Sequence, residues 1–377
     1  MIAFRVDSSI AIGSGHVMRC LALAGELARR GRRCVFVMRD LPGAVIPRVF
    51  AEGHEIHLLS PPAFGAAFGA AFGIAADAGV GAATGGRCYD AWLGAPWRDD
   101  ATSSAAFFAT RPISWVVVDH YALDARWQGV ARAAGARILA IDDLADRPHA
   151  ADMILDQTLG RATMDYAALA PLASEILAGP GFALQRPEFS RLRDRSLSRR
   201  AGGRIENVLV SMGGMDRTNM TGRMLEALDP ISEGLSATVV LGASAPHRAA
   251  VEWLSSELPW VQEVVVDAPN MGALMAAADV AIGAAGSTSW ERCCLGLPSL
   301  MVVLAENQRE SCAMLEAAGA GICLGEDDSD VNWAVAMAAA MARLRASGAL
   351  AAASAAASVL CDGLGAARVA DRMCAVS

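Results

Sequence analysis

Ile2-Ala-Phe-Arg-Val-Asp-Ser-Ser-Ile-Ala-Ile-Gly-Ser-Gly-His16-Val-Met-Arg-Cys20 opens the chain, and its reading decides the fold. Ile2–Val6 is a short apolar run of strand length, bounded by Asp7, Ser8 and Ser9. After the glycines, Val17, Cys20, Leu21, Ala24, Leu27 and Ala28 recur at helical spacing, which predicts a helix from about His16 to Arg30. Gly31 stops it, and Cys34–Met38 reads as the next strand. Strand, glycine turn, helix, strand is the start of a parallel α/β sheet.

The alternation continues. Trp115–Asp119, Arg137–Ile141 and Met153–Leu155 read as strands, and Asp124–Ala134 as a helix. Residues 186–204 are polar and Arg-rich and read as a linker. A second alternation follows, with strands at Asn207–Ser211, Thr238–Leu241, Glu263–Val266, Val280–Gly283 and Leu300–Leu304, then an Ala-rich helical tail from Val331. The expected architecture is α/β and GT-B-like: two Rossmann-like domains with parallel sheets facing a central cleft. Their expected ranges are 1–195 and 204–377. Ala63-Phe-Gly-Ala and its two following copies interrupt the order, either as a helix with a small-residue stripe or as a low-complexity insertion.

Composition narrows the function. The 377 residues are 54% hydrophobic, enough for large cores. All 32 basic residues are Arg, which excludes Schiff-base and Walker-A lysine chemistry. The net charge of −8 argues against a nucleic-acid partner. The nine cysteines lack paired metal or redox spacing, and Cys293 and Cys294 are adjacent, so reduced thiols and a cytoplasmic protein are expected. The chain enters a strand without a signal-peptide pattern. Pro62–Ala76 is the nearest approach to a membrane span, but it is short and glycine-interrupted, so no membrane partner is expected.

Four segments carry candidate chemistry. In Asp7–His16, Gly13 and Gly15 permit close backbone approach, and His16 stands at a helix mouth where an imidazole can serve as general base. A structural turn with an incidental histidine explains the same motif, which is not GxGxxG. Ser211-Met-Gly-Gly-Met-Asp216 offers Gly213 and Gly214 to a diphosphate, or is an ordinary strand–helix turn. In Gly283–Glu291, Ser287 and Thr288 either cap a helix or meet ligand, and Glu291 either suits the paired hydroxyls of a ribose or is a surface carboxylate. Ala305-Glu-Asn-Gln308 places Asn307 and Gln308 at the end of a parallel strand, where amide side chains commonly meet ligand, or Asn307 is a helix cap. Asp7 and Tyr121, the latter in Asp119-His-Tyr-Ala-Leu-Asp124, complete the candidate substrate-binding set. Asp142-Asp143 reads as a cap and turn before a metal pair. Glu326–Asp330 reads as acidic capping of the last helix. His54 and His57 face opposite sides of a strand and make poor co-ligands.

Taken together, Arg5–Ser9, Gly13–Cys20, Val118–Trp127, Ile141–Arg147, Ser211–Asp216, Gly286–Pro298 and Ala305–Gln308 resemble one family. It is the UDP-2,4-diacetamido-2,4,6-trideoxy-β-L-altropyranose hydrolases of pseudaminic acid synthesis. The resemblance implies a GT-B fold, and inverting hydrolysis of a UDP-sugar without metal or cofactor. It puts the catalytic histidine on His16 and a substrate contact on Asn307. By looser analogy with GT-B relatives, Glu291 holds the uridine ribose. Residues 61–90 look longer than that pattern. UDP is a good leaving group, so one base suffices where a glycosidase needs a carboxylate pair. The alternatives are a UDP-sugar-dependent GT-B glycosyltransferase, with His16 acting on an acceptor hydroxyl, and a non-catalytic nucleotide-sugar binding protein.

Overall fold

A computed structural model describes residues 1–60, 89–327 and 330–375. The Ala63 repeat and the Pro62–Ala76 stretch lie outside these residues. Two compact units divide the chain: Met1–Leu184 with Ala366–Ser377, and Gln185–Gly365.

The first unit is built on β1 (Ile2–Val6), β2 (Cys34–Met38), β3 (Glu55–Leu58), β4 (Trp115–Asp119), β5 (Arg137–Ile141), β6 (Met153–Asp156) and β7 (Glu175–Ala178). They pair in parallel in the order β3-β2-β1-β4-β5-β6-β7. Every residue of β1, β2 and β4 is buried, as expected of parallel strands covered on both faces. The first helix, Gly15–Arg29, buries Val17, Cys20, Leu21, Ala24 and Leu27 of the stripe its sequence spacing predicts, while Ala28, in the last turn, is exposed. Gly31 follows with φ +74°, the left-handed conformation that ends a helix.

The second unit repeats the plan with β8 (Asn207–Ser211), β9 (Ser236–Leu241), β10 (Val261–Val266), β11 (Val280–Ala284), β12 (Ser299–Val303) and β13 (Gly321–Glu326). They run parallel in the order β10-β9-β8-β11-β12-β13. In both sheets the strand order reverses beside the first strand: between β1 and β4, and between β8 and β11. Ligands of open parallel sheets bind beyond the strand C-termini at such reversals.

Three expectations change. The Arg-rich stretch is a helix, Pro187–Arg200, not a linker. Pro187 starts it, and its arginines reach into the second unit, where Arg200 donates to the carbonyls of Met275, Ala278 and Leu295. Arg193 donates to those of Cys294, Ser358 and Cys361. These carbonyls lie at or just beyond helix C-termini, where a cation completes unmet acceptors. The compact units therefore part at Leu184/Gln185 instead of near 195–204, and the last helix, Gly365–Ala375, belongs to the first unit. Finally, Asn332 caps helix Trp333–Arg345 by accepting from the Val335 N–H at 3.2 Å, while Asp327 pairs with Arg223.

Ala349–Ala375 is long and apolar enough by composition to cross a membrane, a stretch not singled out above. It is two helices interrupted at Cys361–Leu364, and both turn apolar faces into protein cores.

Candidate active site

In the first unit the site forms at the strand-order reversal. The loop after β1 closes on itself: the Gly13 N–H donates to the Ser9 carbonyl at 2.8 Å, and Gly13 has φ +78°. Gly15 is the first helical residue, and His16 follows it. Ser14 makes no side-chain cap, so the first helical N–H groups are not closed off by that hydroxyl. Asp119 is the last residue of β4, in register with Val6 of β1.

His16 Nδ1 lies 2.6 Å from Asp119 Oδ1. The Asp119 carboxylate is buried; desolvation alone would raise its pKa, but Arg19 and His16 outweigh that and hold it well below the ordinary carboxylate range. An ionised carboxylate can only accept, so Nδ1 carries the proton and donates it to Asp119. Among the described residues Nε2 has no hydrogen-bond partner, which leaves it a free acceptor on a side chain that is 11% exposed. Arg19 donates from Nε to Asp119 Oδ2 at 2.6 Å and from Nη2 to Oδ1 at 2.7 Å. Its Nη1 meets both oxygens of Asp143, which follows β5. The Tyr121 hydroxyl donates to Asp143 at 2.7 Å, and its ring meets the His16 ring edge-on at 4.8 Å. Burial and Asp143 raise the Tyr121 hydroxyl well above its usual range, so it stays protonated.

Gly13, Gly15, His16 and Tyr121 thus share one place. Asp7 departs from the substrate-binding expectation. It is buried, accepting from the Arg39 N–H at 2.7 Å and pairing with Arg5 at 2.8 Å. Arg5 in turn grips Asp100 with two bonds. Asp7 therefore belongs to an internal ion cluster under the loop. Asp142 is likewise internal, bound by Arg147, Tyr166 and the Ala145 N–H. Among the described residues no group of three or more His, Cys, Asp or Glu could hold a metal ion.

The second unit collects the other candidates beyond β8, β11 and β12. Gly213 has φ +92°, which only glycine takes cheaply. The Gly214 carbonyl packs against Gly242 so closely that a Cβ there would lie 2.0 Å from it. The helix after this turn starts only at Met220, and Asp216 accepts its Met220 and Thr221 N–H groups at 2.8 and 2.9 Å. A carboxylate thus already fills the helix mouth that the sequence offered to a diphosphate; the glycine turn itself remains.

Ser287 is exposed and makes no cap to helix Thr288–Cys294. Thr288 lines a small void with Ser211 and Arg292. Glu291 lies in that helix, and its carboxyl is pushed up to about 7 by burial, with Glu188 adding and Arg186 and Arg292 opposing. Gln308 accepts from the Leu304 N–H at 3.0 Å, and its Nε2 comes within 3.6 Å of where a Gly286 Cβ would stand. It therefore lies beside the Gly286–Thr288 loop. Asn307 is exposed and caps nothing: the N-cap of the following helix is Gln308.

Sequence reading placed Asp119 and Asp143 at strand ends but did not join them to His16, and it passed over Arg19. Arg19 had one available signal: at three residues after His16 it shares the same helix face.

Comparison with known proteins bears on the fold. Residues 242–361 match the glycosyltransferase family 28 C-terminal domain. Over 154 residues the chain is 28% identical to the spore coat polysaccharide biosynthesis protein SpsG of Bacillus subtilis (strain 168), covering 40% of this chain and 44% of that one. The chain spans less than half the length of the curated relatives it matches. Among solved structures, Acinetobacter baumannii MurG superposes with a TM-score of 0.62 at 15% identity, covering 99% of both chains. LpCGTa in complex with UDP gives 0.60 at 16% identity, covering 99% of this chain and 98% of that one. The fold is therefore GT-B: α/β, with two Rossmann-like parallel-sheet domains. The matched family model is that of a glycosyltransferase domain.

Proposed function

We propose that this chain is a UDP-sugar-dependent enzyme of the GT-B class that transfers the sugar to an acceptor hydroxyl. The observation that carries the reading is the His16–Asp119 pair, with Nδ1 bound to the carboxylate and Nε2 open, at the strand-order reversal of the first sheet. Nε2 takes the proton of the attacking hydroxyl as its oxygen bonds to C1. The bond from C1 to the diphosphate oxygen breaks, and UDP leaves with that electron pair. A single displacement inverts C1.

The second unit supplies the nucleotide contacts in this reading. The Gly213–Gly214 turn and the Ser287 and Thr288 hydroxyls meet the diphosphate, Glu291 the ribose hydroxyls, and Asn307 the sugar. Support comes from the family 28 match over 242–361, which contains Ser287, Thr288, Glu291, Asn307 and Gln308. The UDP complex of LpCGTa adds a nucleotide precedent on the same fold. In this reading fixed dipoles of the glycine turn meet the charge on departing UDP.

The seven-segment motif resemblance favours a second reading, in which the same base activates water and the substrate is the UDP-diacetamido-trideoxyhexose. One assay separates them. The pure protein is given that sugar nucleotide, or UDP-N-acetylglucosamine, with and without acceptor alcohols, and UDP release is followed. Transfer requires acceptor-dependent release; rapid release without acceptor establishes hydrolysis instead. In either case His16→Ala should retain UDP affinity and lose about two to four orders of magnitude in turnover. Near-normal turnover in that variant removes the base assignment.

A further inference from the structure

We propose that Arg19 is a positioning residue for His16, fixing Asp119 against the imidazole and supplying the positive charge that opposes protonation of the ring. The inference rests on the base role of His16 proposed above and deepens it. Arg19 is buried on the His16 face of the first helix. Nε and Nη2 fork across Asp119 at 2.6 and 2.7 Å, which sets the carboxylate plane and aims Oδ1 at His16 Nδ1. Nη1 anchors the other end on Asp143, at 2.9 and 2.7 Å. Both ends of the guanidinium are therefore held, and Asp119 has little freedom to turn away.

The charges around the ring give Arg19 its second task. Asp119 faces His16 from β4, Tyr121 and His120 from the turn after β4, and Asp143 from behind Arg19 and Tyr121. Arg19 is the permanent cation among them, with Nη2 at 3.2 Å from Nδ1. That nitrogen already donates its proton to Asp119, so the short approach is a charge contact. A lone carboxylate against an imidazole favours the imidazolium, which cannot accept a proton. A fixed cation at this distance opposes it. Asp119 is thereby left to set the tautomer, with Nε2 as the open acceptor.

The test is 15N NMR titration of the His16 ring alongside pH profiles of kcat and KM, on the full chain. His16→Ala assigns the ring signals. In Arg19→Gln the ring titration midpoint and the acid limb of kcat should both move up by about one pH unit or more relative to the native chain. Arg19→Lys keeps the charge but not the fork. Its midpoint should stay close to the native one while kcat falls and KM holds. Asp143→Asn removes a negative charge behind Arg19 and should move the midpoint down.

An unmoved or lowered midpoint in Arg19→Gln overturns the proposal. If that variant does not fold, an unmoved or raised midpoint in Asp143→Asn overturns it instead. The ring titration needs no turnover. Full activity of His16→Ala with the expected midpoint shifts therefore discards the base role alone. An inactive His16→Ala with unmoved midpoints discards the role of Arg19 alone.

Discussion

At the scale of single residues, two carboxylates act in opposite ways. Asp119 is held ionised, and its value lies in direction: it keeps the proton of His16 on Nδ1. Asp119→Asn would turn an amide N–H or a weaker acceptor toward Nδ1, allowing the wrong tautomer. Turnover should fall by about two to four orders of magnitude with nucleotide affinity retained, checked by steady-state kinetics beside a UDP-binding titration. Glu291 is burdened by its site. Its carboxyl is raised to about 7 in the folded chain from an ordinary 4.5. The folded state thus binds this proton more tightly than the unfolded one, so stability is lost as pH rises from about 4.5 through 7. Glu291→Gln removes that loss and should stabilise the chain by on the order of 3 kcal/mol at pH 8, with little change at pH 4.5. Thermal unfolding of both proteins at the two pH values reads this directly. A residue that weakens its own fold suits a binding role, so the same variant should bind UDP less tightly.

At the scale of elements, legibility depended on whether a signal was local. β1, β2, β4 and β5 were readable because covered parallel strands are continuous apolar runs with glycine or polar punctuation. The strands Glu175–Ala178 and Gly321–Glu326 were missed: one is only partly buried, and the other carries Gly321 and Gly325 inside it. The glycine turns of the site were legible, being local. The His16–Asp119 contact spans 103 residues and exists because β4 lies beside β1, which no spacing rule states. Pro187–Arg200 failed for a related reason, since an Arg-rich stretch is ordinarily solvated and the acceptors of Arg200 come from 75 to 95 residues away. This gives a prediction for the element. Arg200→Met should destabilise the chain by about 3–5 kcal/mol, because three carbonyls lose a buried charged donor. Arg204→Met, an exposed position just beyond the same helix, should change little. Urea unfolding of both variants distinguishes a structural clamp from a solvated linker.

At the scale of the whole molecule, the chain's last helix contributes to the unit that contains its first strand. Ala366, Val369, Ala370 and Met373 share a buried cluster with Phe4, Leu23, Leu27 and Phe36. Arg30, the C-cap residue of the first helix, pairs with Asp371 at 2.7 Å, and Arg368 donates to the Gly181 carbonyl at 2.7 Å. The stability of the first unit should therefore depend on residues more than 300 positions from the loop that carries His16. Met373→Ala leaves a cavity in a core with little room to collapse and should cost about 2–5 kcal/mol. Hydrogen exchange locates the effect: amides of β1, β2 and the Gly15–Arg29 helix should lose protection, while those of β8 and β11 keep theirs. Equal loss in both units would mean that they unfold as one cooperative body. Unchanged protection in β1 and β2 would mean that the helix adds nothing to the sheet that holds His16 and Asp119.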